Sequence, residues 1–358
     1  MDKLRVLQVV QHLRPGGIET MTLDLLNKSS AQTEVHIMCL EGSRKQTLAS
    51  WPRLHPVAHR LHFLDKKPKV DFPAVARLVL LIKKLKIDVV HSHHIGPLIY
   101  GGIAAKISGI KHMVHTEHDA WHLNNTKRRH LQNLIAHVVK PVIVADADLV
   151  AQSLRQFIPS ISPEIIHNGV DVDKFAPGNK RQARKKLGLP QNVNLIGCAA
   201  RLETVKGHSY LLKAMNFIPD TIHLALAGDG SLRIPLEELV RSYGLTKRVH
   251  FLGSIDDMEA FHNAIDVFCL ASEQEGLPLS PLEAQASGVP VVLTDVGGCR
   301  EAICPDTGRL VTAKSPTELA EALKKALQCT DKETPREFVI QHRNLDQTIK
   351  AYEALYGI

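Results

Sequence analysis

Between residues 275 and 293 the chain reads Glu275-Gly-Leu-Pro-Leu-Ser-Pro-Leu-Glu283-Ala-Gln-Ala-Ser-Gly-Val-Pro-Val-Val-Leu293. Gly276 permits close backbone approach, Ser280 is of a type that favours the N-cap, and Pro281 suits the first helical position. The apolar end is typical of a parallel strand that is buried on both faces. The stretch therefore predicts a tight loop, a helix and a strand, with backbone amides around Leu279 and Ser280 directed at an anion.

Short apolar runs alternate with helical patterns along the rest of the chain. In the first half they lie at residues 6–10, 34–40, 88–91, 111–116 and 142–145, and in the second half at 194–198, 223–227, 249–252, 266–270 and 289–294. This alternation is typical of parallel sheets with crossover helices. We therefore predict an α/β protein of two doubly wound sheets, with a linker near residues 170–190 and a ligand in the cleft between the domains.

The composition bounds the class of protein. A chain of 358 residues suggests two domains, and no apolar stretch approaches the length of a membrane span. The chain begins almost directly with a strand-like run, so no signal peptide is predicted. The six cysteines show no Cys-x-x-Cys spacing, which favours reduced thiols of a cytoplasmic protein over disulfides or a zinc site.

Positive charge is concentrated in the first half of the chain, at residues 66–69, 77–86 and 127–129. Such segments suit the anionic headgroups of a membrane or a polyanion, and they equally suit solvated helix faces. Aromatic residues make up only 4% of the chain, and they do not alternate with the basic ones. Nucleic acid is therefore not an expected partner.

The second half contains two further motifs that could hold phosphate. Arg201 and Lys206 follow a strand-like run and stand beside Gly207. Two cations at this spacing suit a diphosphate, although a pair on a helix surface would look the same. Gly228 and Gly230 form a G-x-G turn after a strand, which is a weak signal by itself.

The first half offers a glycine pair and a group of histidines. Gly16 and Gly17 follow the first strand, where a loop approaching phosphate or sugar would lie, and a bare turn is the alternative. The histidines gather at the ends of two predicted strands, but their spacing matches no known ligand set, so no metal site is predicted. His118, beside Asp119, is interpreted as a polar group that lines the cleft.

Taken together, these motifs resemble glycosyltransferase family 4, retaining enzymes of the GT-B fold that use nucleotide-activated sugars. The resemblance rests on residues 16–19, 88–93, 115–118, 166–171, 201–207, 228–230, 249–253 and 275–290. It implies two Rossmann-like domains that face a central cleft. Residues 1–175 would form the acceptor-side domain, 176–335 the nucleotide-sugar domain, and 336–358 a C-terminal helix that packs back on the first domain.

The resemblance also implies roles for individual residues. Arg201 and Lys206 would hold the donor diphosphate, Glu283 the ribose, and Glu275 the transferred sugar, with His118 facing that sugar. The predicted catalytic residues are His118, Glu275, Arg201 and Lys206. The predicted donor-binding residues are Gly16, Gly17, Arg201, Lys206, Gly228, Gly230, Gly276, Leu277, Leu279, Ser280 and Glu283. No cofactor and no metal are predicted.

The implied reaction is sugar transfer with retained anomeric configuration in the synthesis of cell-surface polysaccharide, lipopolysaccharide or glycolipid. The expected donor is a UDP-sugar, and the expected acceptor is lipid-linked or a saccharide. We expect a cytoplasmic protein, with peripheral attachment to the inner face of the membrane through residues 66–86 and 127–129 as a further hypothesis. The alternatives are a nucleotide-sugar epimerase, a sugar phosphorylase and a non-catalytic scaffold subunit.

Overall fold

A computed structural model of the protein describes residues 3–67 and 70–357. The chain divides into two compact units: an N-terminal unit, Met1–Asn168 with Asp346–Ile358, and a C-terminal unit, Gly169–Leu345. The first division lies after residue 168, whereas the sequence suggested 175. The second lies after residue 345, whereas the sequence suggested 335.

The N-terminal unit is built on a seven-stranded parallel sheet of order β3-β2-β1-β4-β5-β6-β7. Its strands are β1 (Leu4–Val10), β2 (Thr33–Cys39), β3 (Leu61–Phe63), β4 (Val89–His93), β5 (His112–Glu117), β6 (Val142–Ala145) and β7 (Glu164–Ile165). Its first six helices are α1 (Gly17–Lys28), α2 (Arg44–Ser50), α3 (Phe72–Leu85), α4 (Ile95–Ser108), α5 (Thr126–Val139) and α6 (Asp148–Phe157), with 3-10 turns at Pro52–Arg60 and Trp121–Asn124.

The C-terminal unit is built on a six-stranded parallel sheet of order β10-β9-β8-β11-β12-β13. Its strands are β8 (Asn194–Ala199), β9 (Ile222–Ala227), β10 (Val249–Gly253), β11 (Val267–Leu270), β12 (Val291–Thr294) and β13 (Arg309–Val311). Its helices are α7 (Lys180–Lys186), α8 (His208–Ala214), α9 (Arg233–Ser242), α10 (Met258–Ala264), α11 (Ser280–Ala286), α12 (Pro316–Ala326) and α13 (Glu333–His342), with 3-10 turns at Thr204–Lys206, Met215–Phe217 and Gly297–Ala302.

Local sequence explains where these elements begin and end. In α3 the Asp71 side chain accepts a hydrogen bond from the Ala74 amide, a proline occupies the first turn, and Lys86 ends the helix in the left-handed conformation. In α5 the Asn125 side chain caps the amides of Lys127 and Arg128. The central strands are buried along almost their whole length, since helices cover both faces of each sheet.

All ten predicted strands are present within a few residues of their predicted bounds. The sequence did not indicate β3, β7 and β13, which have two or three residues each and lie at the edges of the two sheets. A strand this short has no readable alternation, because the side-chain period of a strand is two residues. The predicted fold class of two doubly wound parallel sheets is confirmed.

The predicted C-terminal segment is divided between the two units. Helix α13 belongs to the C-terminal unit, where the Arg336 guanidinium donates to the carbonyl oxygens of Val172, Phe175 and Ala286. The last helix, α14 (Leu345–Tyr356), packs into the N-terminal unit through the fully buried side chains of Tyr352 and Tyr356. Among the helices of the described ranges, none is long and apolar enough to cross a membrane.

Candidate active site

The loop after β11 holds a buried carboxylate that is paired with a lysine from another loop. The Lys206 ammonium donates to Glu275 Oε1 at 2.6 Å, and the Ser272 hydroxyl donates to the same oxygen at 2.6 Å. Glu275 is only 6% exposed. The structure therefore brings together the residue predicted to bind the sugar and one of the two predicted to bind diphosphate, although 69 positions separate them in the chain.

Backbone contacts fix the loop that carries Lys206. Gly207 has φ 65°, and a Cβ there would lie 1.9 Å from the Ala271 carbonyl oxygen. The Glu273 amide donates to the Val205 carbonyl at 2.8 Å, which ties the two loops together. Only glycine fits position 207, because both the conformation and the close approach exclude a side chain.

A glycine pair that the sequence reading overlooked supports the other side of Glu275. Gly297 has φ 53°, and a Cβ there would lie 1.8 Å from the Glu275 carbonyl oxygen. The Gly298 amide donates to the Gly276 carbonyl at 2.9 Å. The signal was available, because two adjacent glycines separated from a strand by two residues indicate a close backbone approach.

Helix α11 begins one residue differently from the prediction. Its N-cap is Leu279, Ser280 is already helical, and no side chain caps the helix. The expectation that Ser280 is the N-cap was therefore wrong, since Ser280 has already adopted helical geometry. Pro281 lies in the first turn as predicted, and the neighbouring Leu277 is buried.

Glu283, in the first turn of α11, has a buried partner that the sequence did not indicate. Its Oε2 lies 3.3 Å from Nε2 of His262. The His262 ring is fully buried among Phe175, Phe261 and Phe268, and its Nδ1 has no hydrogen-bond partner within the described parts of the chain. Within the described ranges, the one polar contact of the His262 ring is thus the contact of Nε2 with Glu283.

Arg201 follows β8 and is exposed. Its guanidinium makes no hydrogen bond or ion pair with the described residues, which leaves its donors available. Two glycines shape its loop: a Cβ on Gly228 would lie 2.1 Å from the Ala200 carbonyl oxygen, and one on Gly230 would lie 2.6 Å from that of Leu202. These glycines, predicted to bind donor, therefore have a structural role on both sides of Arg201.

In the N-terminal unit, Gly16 is the N-cap of α1 and Gly17 its first residue. The Glu19 side chain folds back over them, and a Cβ on Gly16 would lie 2.4 Å from Glu19 Oε2. Burial raises the pKa of the Glu19 carboxyl, and its hydrogen bond to its own amide opposes that rise. A carboxylate thus already covers the helix end that the sequence assigned to a phosphate or sugar.

His118 lies deeper than its predicted role suggests. It is 5% exposed, its Nδ1 lies 2.8 Å from Asp146 Oδ2, and its Nε2 lies 3.0 Å from His93 Nδ1. Both ring nitrogens are therefore engaged with protein groups. In this arrangement the ring has no nitrogen left to bond a sugar hydroxyl.

His94, which follows β4, is the more exposed imidazole of this group. Its backbone has φ 65° and ψ 166°, a region that costs a side-chain-bearing residue roughly 1–3 kcal/mol and that is concentrated at functional sites. Its Nδ1 lies 3.6 Å from Glu117 Oε2 and its Nε2 lies 3.9 Å from Asp119 Oδ2. Burial alone would lower the pKa of His94, but the adjacent Glu117 carboxylate reverses that effect and raises it.

Comparison with known proteins identifies the family. The model described as Glycosyltransferase Family 4 matches residues 15–174, and the model described as Glycosyl transferases group 1 matches residues 179–345. The chain belongs to glycosyltransferase family 4. The sequence-based predictions of the family and of a glycosyltransferase enzyme are confirmed.

Relatives of this family 4 glycosyltransferase act on different acceptors. The chain is 33% identical to the UDP-Gal:alpha-D-GlcNAc-diphosphoundecaprenol alpha-1,3-galactosyltransferase of Escherichia coli, over 64% of this chain and 63% of that protein. It thus spans less than two thirds of that relative. It is 29% identical to the D-inositol 3-phosphate glycosyltransferase of Corynebacterium urealyticum, over 76% of this chain and 72% of that protein.

Among solved structures, Anabaena HepE in complex with UDP-glucose matches with a TM-score of 0.85 at 21% identity, over 99% of this chain and 100% of that one. At this identity the likeness establishes the fold. The predicted GT-B fold class is confirmed.

Proposed function

We propose that this family 4 glycosyltransferase moves a sugar from a nucleotide sugar to a lipid-linked or saccharide acceptor, with retention of configuration. The contact between Lys206 and Glu275 carries the proposal. The two groups neutralise each other in a buried place, and a diphosphate would compete for the lysine. Its arrival would release the Glu275 carboxylate to accept hydrogen bonds from the sugar.

The other groups of the C-terminal unit would complete donor binding. Arg201 has its full set of donors available, and a planar guanidinium can bind a phosphate through two of them. Glu283 would accept hydrogen bonds from the ribose, with His262 holding one of its oxygens. The amides at Leu279 and Ser280 would add donors to the diphosphate.

The proposed reaction needs no protein nucleophile. The bond between the anomeric carbon and the donor phosphate oxygen breaks, and the acceptor oxygen forms its bond on the same face. The acceptor proton passes to the departing phosphate oxygen. Arg201 and Lys206 would stabilise the negative charge that grows on that phosphate, which is the kind of electrostatic contribution that lowers such barriers most.

The relatives guide the choice of substrates. The name of the Escherichia coli relative specifies UDP-Gal as donor and a diphosphoundecaprenol-linked acceptor, and HepE was solved with UDP-glucose. These names favour a uridine nucleotide and an acceptor of cell-surface polysaccharide or glycolipid synthesis for this chain as well.

We also propose that the N-terminal unit binds an anionic membrane surface. Helix α4 packs between α3 and α5, and none of the three contains an acidic residue. Large apolar side chains protrude from α3 and α5, with Phe72, Leu80 and Leu134 exposed by 80%, 69% and 59%. Exposed apolar residues beside basic ones favour binding in the interface of a membrane. The sequence suggested residues 66–86 and 127–129 for this contact, and of these Pro68 and Lys69 lie outside the described residues.

Donor binding is tested by screening nucleotide sugars with thermal shift and nucleotide release, for the wild type and for Glu275→Ala. Glu273→Ala is the matched control, because Glu273 lies in the same loop but pairs with Lys314. We expect one donor to stabilise the wild type and the control and to have no effect on Glu275→Ala. Equal responses of the two variants would contradict the proposed site.

Product analysis separates the alternatives. Conversion of the donor without an acceptor would indicate an epimerase, and dependence on inorganic phosphate would indicate a phosphorylase. Binding of no nucleotide sugar would indicate a scaffold subunit.

Membrane binding is tested by vesicle flotation with phosphatidylglycerol–phosphatidylcholine and with pure phosphatidylcholine. Reversing the charge of Lys127 and Arg128 to glutamate should abolish binding to the anionic vesicles. The same reversal at the exposed residues Arg181 and Lys185 of the C-terminal unit is the control. Binding that survives both high salt and the Lys127/Arg128 variant would contradict the proposal.

A further inference from the structure

A chain of buried polar side chains runs through the N-terminal unit from the end of β6 to helix α14. Its members are all exposed by 5% or less. In order along the chain of hydrogen bonds they are Asp146, His118, His93, Gln8, Tyr356, His91, Thr116 and Tyr352. They come from three strands, β1, β4 and β5, from the loops that follow β5 and β6, and from helix α14.

Gln8, in the middle of this series, determines which atom is the donor in each hydrogen bond. Gln8 Oε1 lies 2.6 Å from His93 Nε2, and Gln8 Nε2 donates to the Tyr356 hydroxyl at 3.0 Å. An amide oxygen can only accept, so the proton of this bond sits on His93 Nε2. A neutral His93 then accepts at Nδ1, and the group facing that nitrogen is Nε2 of His118. His118 Nε2 must therefore donate.

The other nitrogen of His118 faces a carboxylate. Asp146 Oδ2 accepts from His118 Nδ1 at 2.8 Å and from the Asn168 amide at 2.7 Å, and its Oδ1 has no hydrogen-bond partner in the described parts of the chain. A buried carboxylate with so few partners requires a positive charge beside it. His118 is the only cation-forming side chain that contacts Asp146 among the described residues.

The remaining hydrogen bonds of the series run in the same direction. Having accepted from Gln8, the Tyr356 hydroxyl donates to His91 Nδ1 at 2.8 Å, and His91 Nε2 donates to the Thr116 hydroxyl at 2.8 Å. Burial lowers the pKa of both His91 and His93, which keeps these two rings neutral. Every hydrogen bond between His118 and Thr116 thus points away from His118, which is left with a proton on each nitrogen.

We propose that His118 is held as an imidazolium between Asp146 and His93, and that Gln8 and Tyr356 are positioning residues that keep it in this state. The last turn of the chain thereby controls a charge at the carboxyl edge of the N-terminal sheet. The consequence for catalysis rests on the proposed function: the ion pair of His118 with Asp146 joins the loop after β5 to the loop after β6, at the carboxyl edge where a doubly wound sheet binds its ligand.

A reversed Gln8 amide makes the opposite prediction. Its nitrogen would then donate to His93 Nε2, His93 would donate through Nδ1, and His118 would accept at Nε2 and be neutral. The two arrangements differ by one proton on His118, which the ¹⁵N chemical shifts of its ring nitrogens report directly.

The test is ¹⁵N NMR at pH 7 on the full-length protein labelled at histidine, with the His118 signals assigned from a His118→Gln sample. We expect both nitrogens of His118 to carry a proton in the wild type. A single protonated nitrogen would overturn the proposal.

The role of Tyr356 is tested by comparing Tyr356→Phe with Tyr352→Phe. Both tyrosines are buried in α14, but among the described residues the Tyr352 hydroxyl forms a hydrogen bond only with Thr116, at the far end of the series of hydrogen bonds. We expect Tyr356→Phe to shift His118 towards the neutral form and Tyr352→Phe to leave it unchanged. Should Tyr356→Phe not fold, Gln8→Met breaks the same link and the same loss is expected. An unchanged His118 in the folded variant, or an equal change in Tyr352→Phe, would refute the positioning role.

Turnover supplies a second readout. In the presence of donor and acceptor, Tyr356→Phe should lower kcat about tenfold and leave the donor KM unchanged, since the loss of one buried hydrogen bond costs roughly that factor. Tyr352→Phe should stay within about twofold of the wild type, because its loss leaves the path to His118 intact. A wild type that turns over no nucleotide sugar would disprove the proposed function, while the NMR result would still decide the inference.

Discussion

The pair formed by Lys206 and Glu275 should stabilise the C-terminal unit as well as bind the donor, and Lys206→Met separates the two roles. Methionine keeps most of the lysine volume and its apolar stem. It removes the ammonium that lies 2.6 Å from Glu275 Oε1, and only the Ser272 hydroxyl then remains on that oxygen. The substitution therefore removes the counter-charge of a carboxylate, Glu275, that is almost fully buried.

The expected cost follows from the burial of the two partners. Breaking a buried ion pair from one side costs about 3–5 kcal/mol. The Lys206 side chain is 19% exposed and Ser272 still donates, so we expect a loss of about 2–4 kcal/mol in the free energy of unfolding. For a unit of this size, that corresponds to a fall in Tm on the order of 5–15 °C.

The double variant Lys206→Met/Glu275→Gln tests the explanation. It removes both charges, and the glutamine can still accept from Ser272. We expect it to recover all but about 1 kcal/mol of the stability, because the unpaired buried charge is gone. Neither variant should bind nucleotide sugar, so stability would return without function.

Urea unfolding offers an internal control. Both tryptophans of the chain, Trp51 and Trp121, lie in the N-terminal unit, so their fluorescence follows that unit, whereas far-UV circular dichroism follows both. The dichroism transition of Lys206→Met should move to lower urea while the fluorescence transition stays in place. A single variant within about 0.5 kcal/mol of the wild type, or a double variant less stable than the single, would refute the reasoning.

Three further substitutions test other parts of the two units. Gly297→Ala should destabilise the C-terminal unit by more than about 3 kcal/mol and abolish donor binding, since its Cβ would strike the Glu275 carbonyl oxygen. Gly244→Ala is the control: Gly244 has a similar positive φ with open space around it, so this substitution should cost only about 1–2 kcal/mol. His262→Phe should raise the donor KM about tenfold with little change in kcat, because it removes one charge-assisted hydrogen bond that positions a ribose-binding carboxylate, and His262→Gln should restore part of the loss; equal KM values for the three proteins would contradict this role. His94→Asn should destabilise the N-terminal unit more at pH 5.5 than at pH 8.5. The pKa of His94 is raised in the folded protein. The stability that His94 contributes is therefore fully present below its pKa in the unfolded chain and is lost as pH rises through its pKa in the folded protein. Denaturant titrations at the two pH values measure this difference, and a loss that grows with pH would show that the sign is wrong.

The strands of both sheets were predictable because their signals are local. Apolar runs such as residues 88–91 and 266–270 must be covered on both faces wherever they lie, and the turn residues around them leave few other conformations. The edge strands β3, β7 and β13 were not predictable, because two or three residues carry no period and pair only where the neighbouring strand happens to be.

The candidate site was predictable in its residue types and less so in its contacts. The sequence singled out Lys206, Glu275 and Glu283, but it did not indicate that the first two form a pair or that His262 holds the third. It placed His118 against the sugar, whereas the structure buries it between two partners. A residue type shows which bonds a side chain can make, and its neighbours decide which of those bonds it does make.

By itself, the sequence determined that this protein is a two-sheet α/β chain with the residue set of family 4, and it predicted an anion site at the start of α11. Strand order was decided by the tertiary structure alone. The loop of Lys206 follows β8 and that of Glu275 follows β11, and these loops meet because β8 and β11 are hydrogen-bonded neighbours in the sheet although β9 and β10 separate them in the chain. Local patterns specify that a segment is a strand, but which strands become neighbours depends on how all the helices pack over the sheet at once, and that is a property of the whole fold.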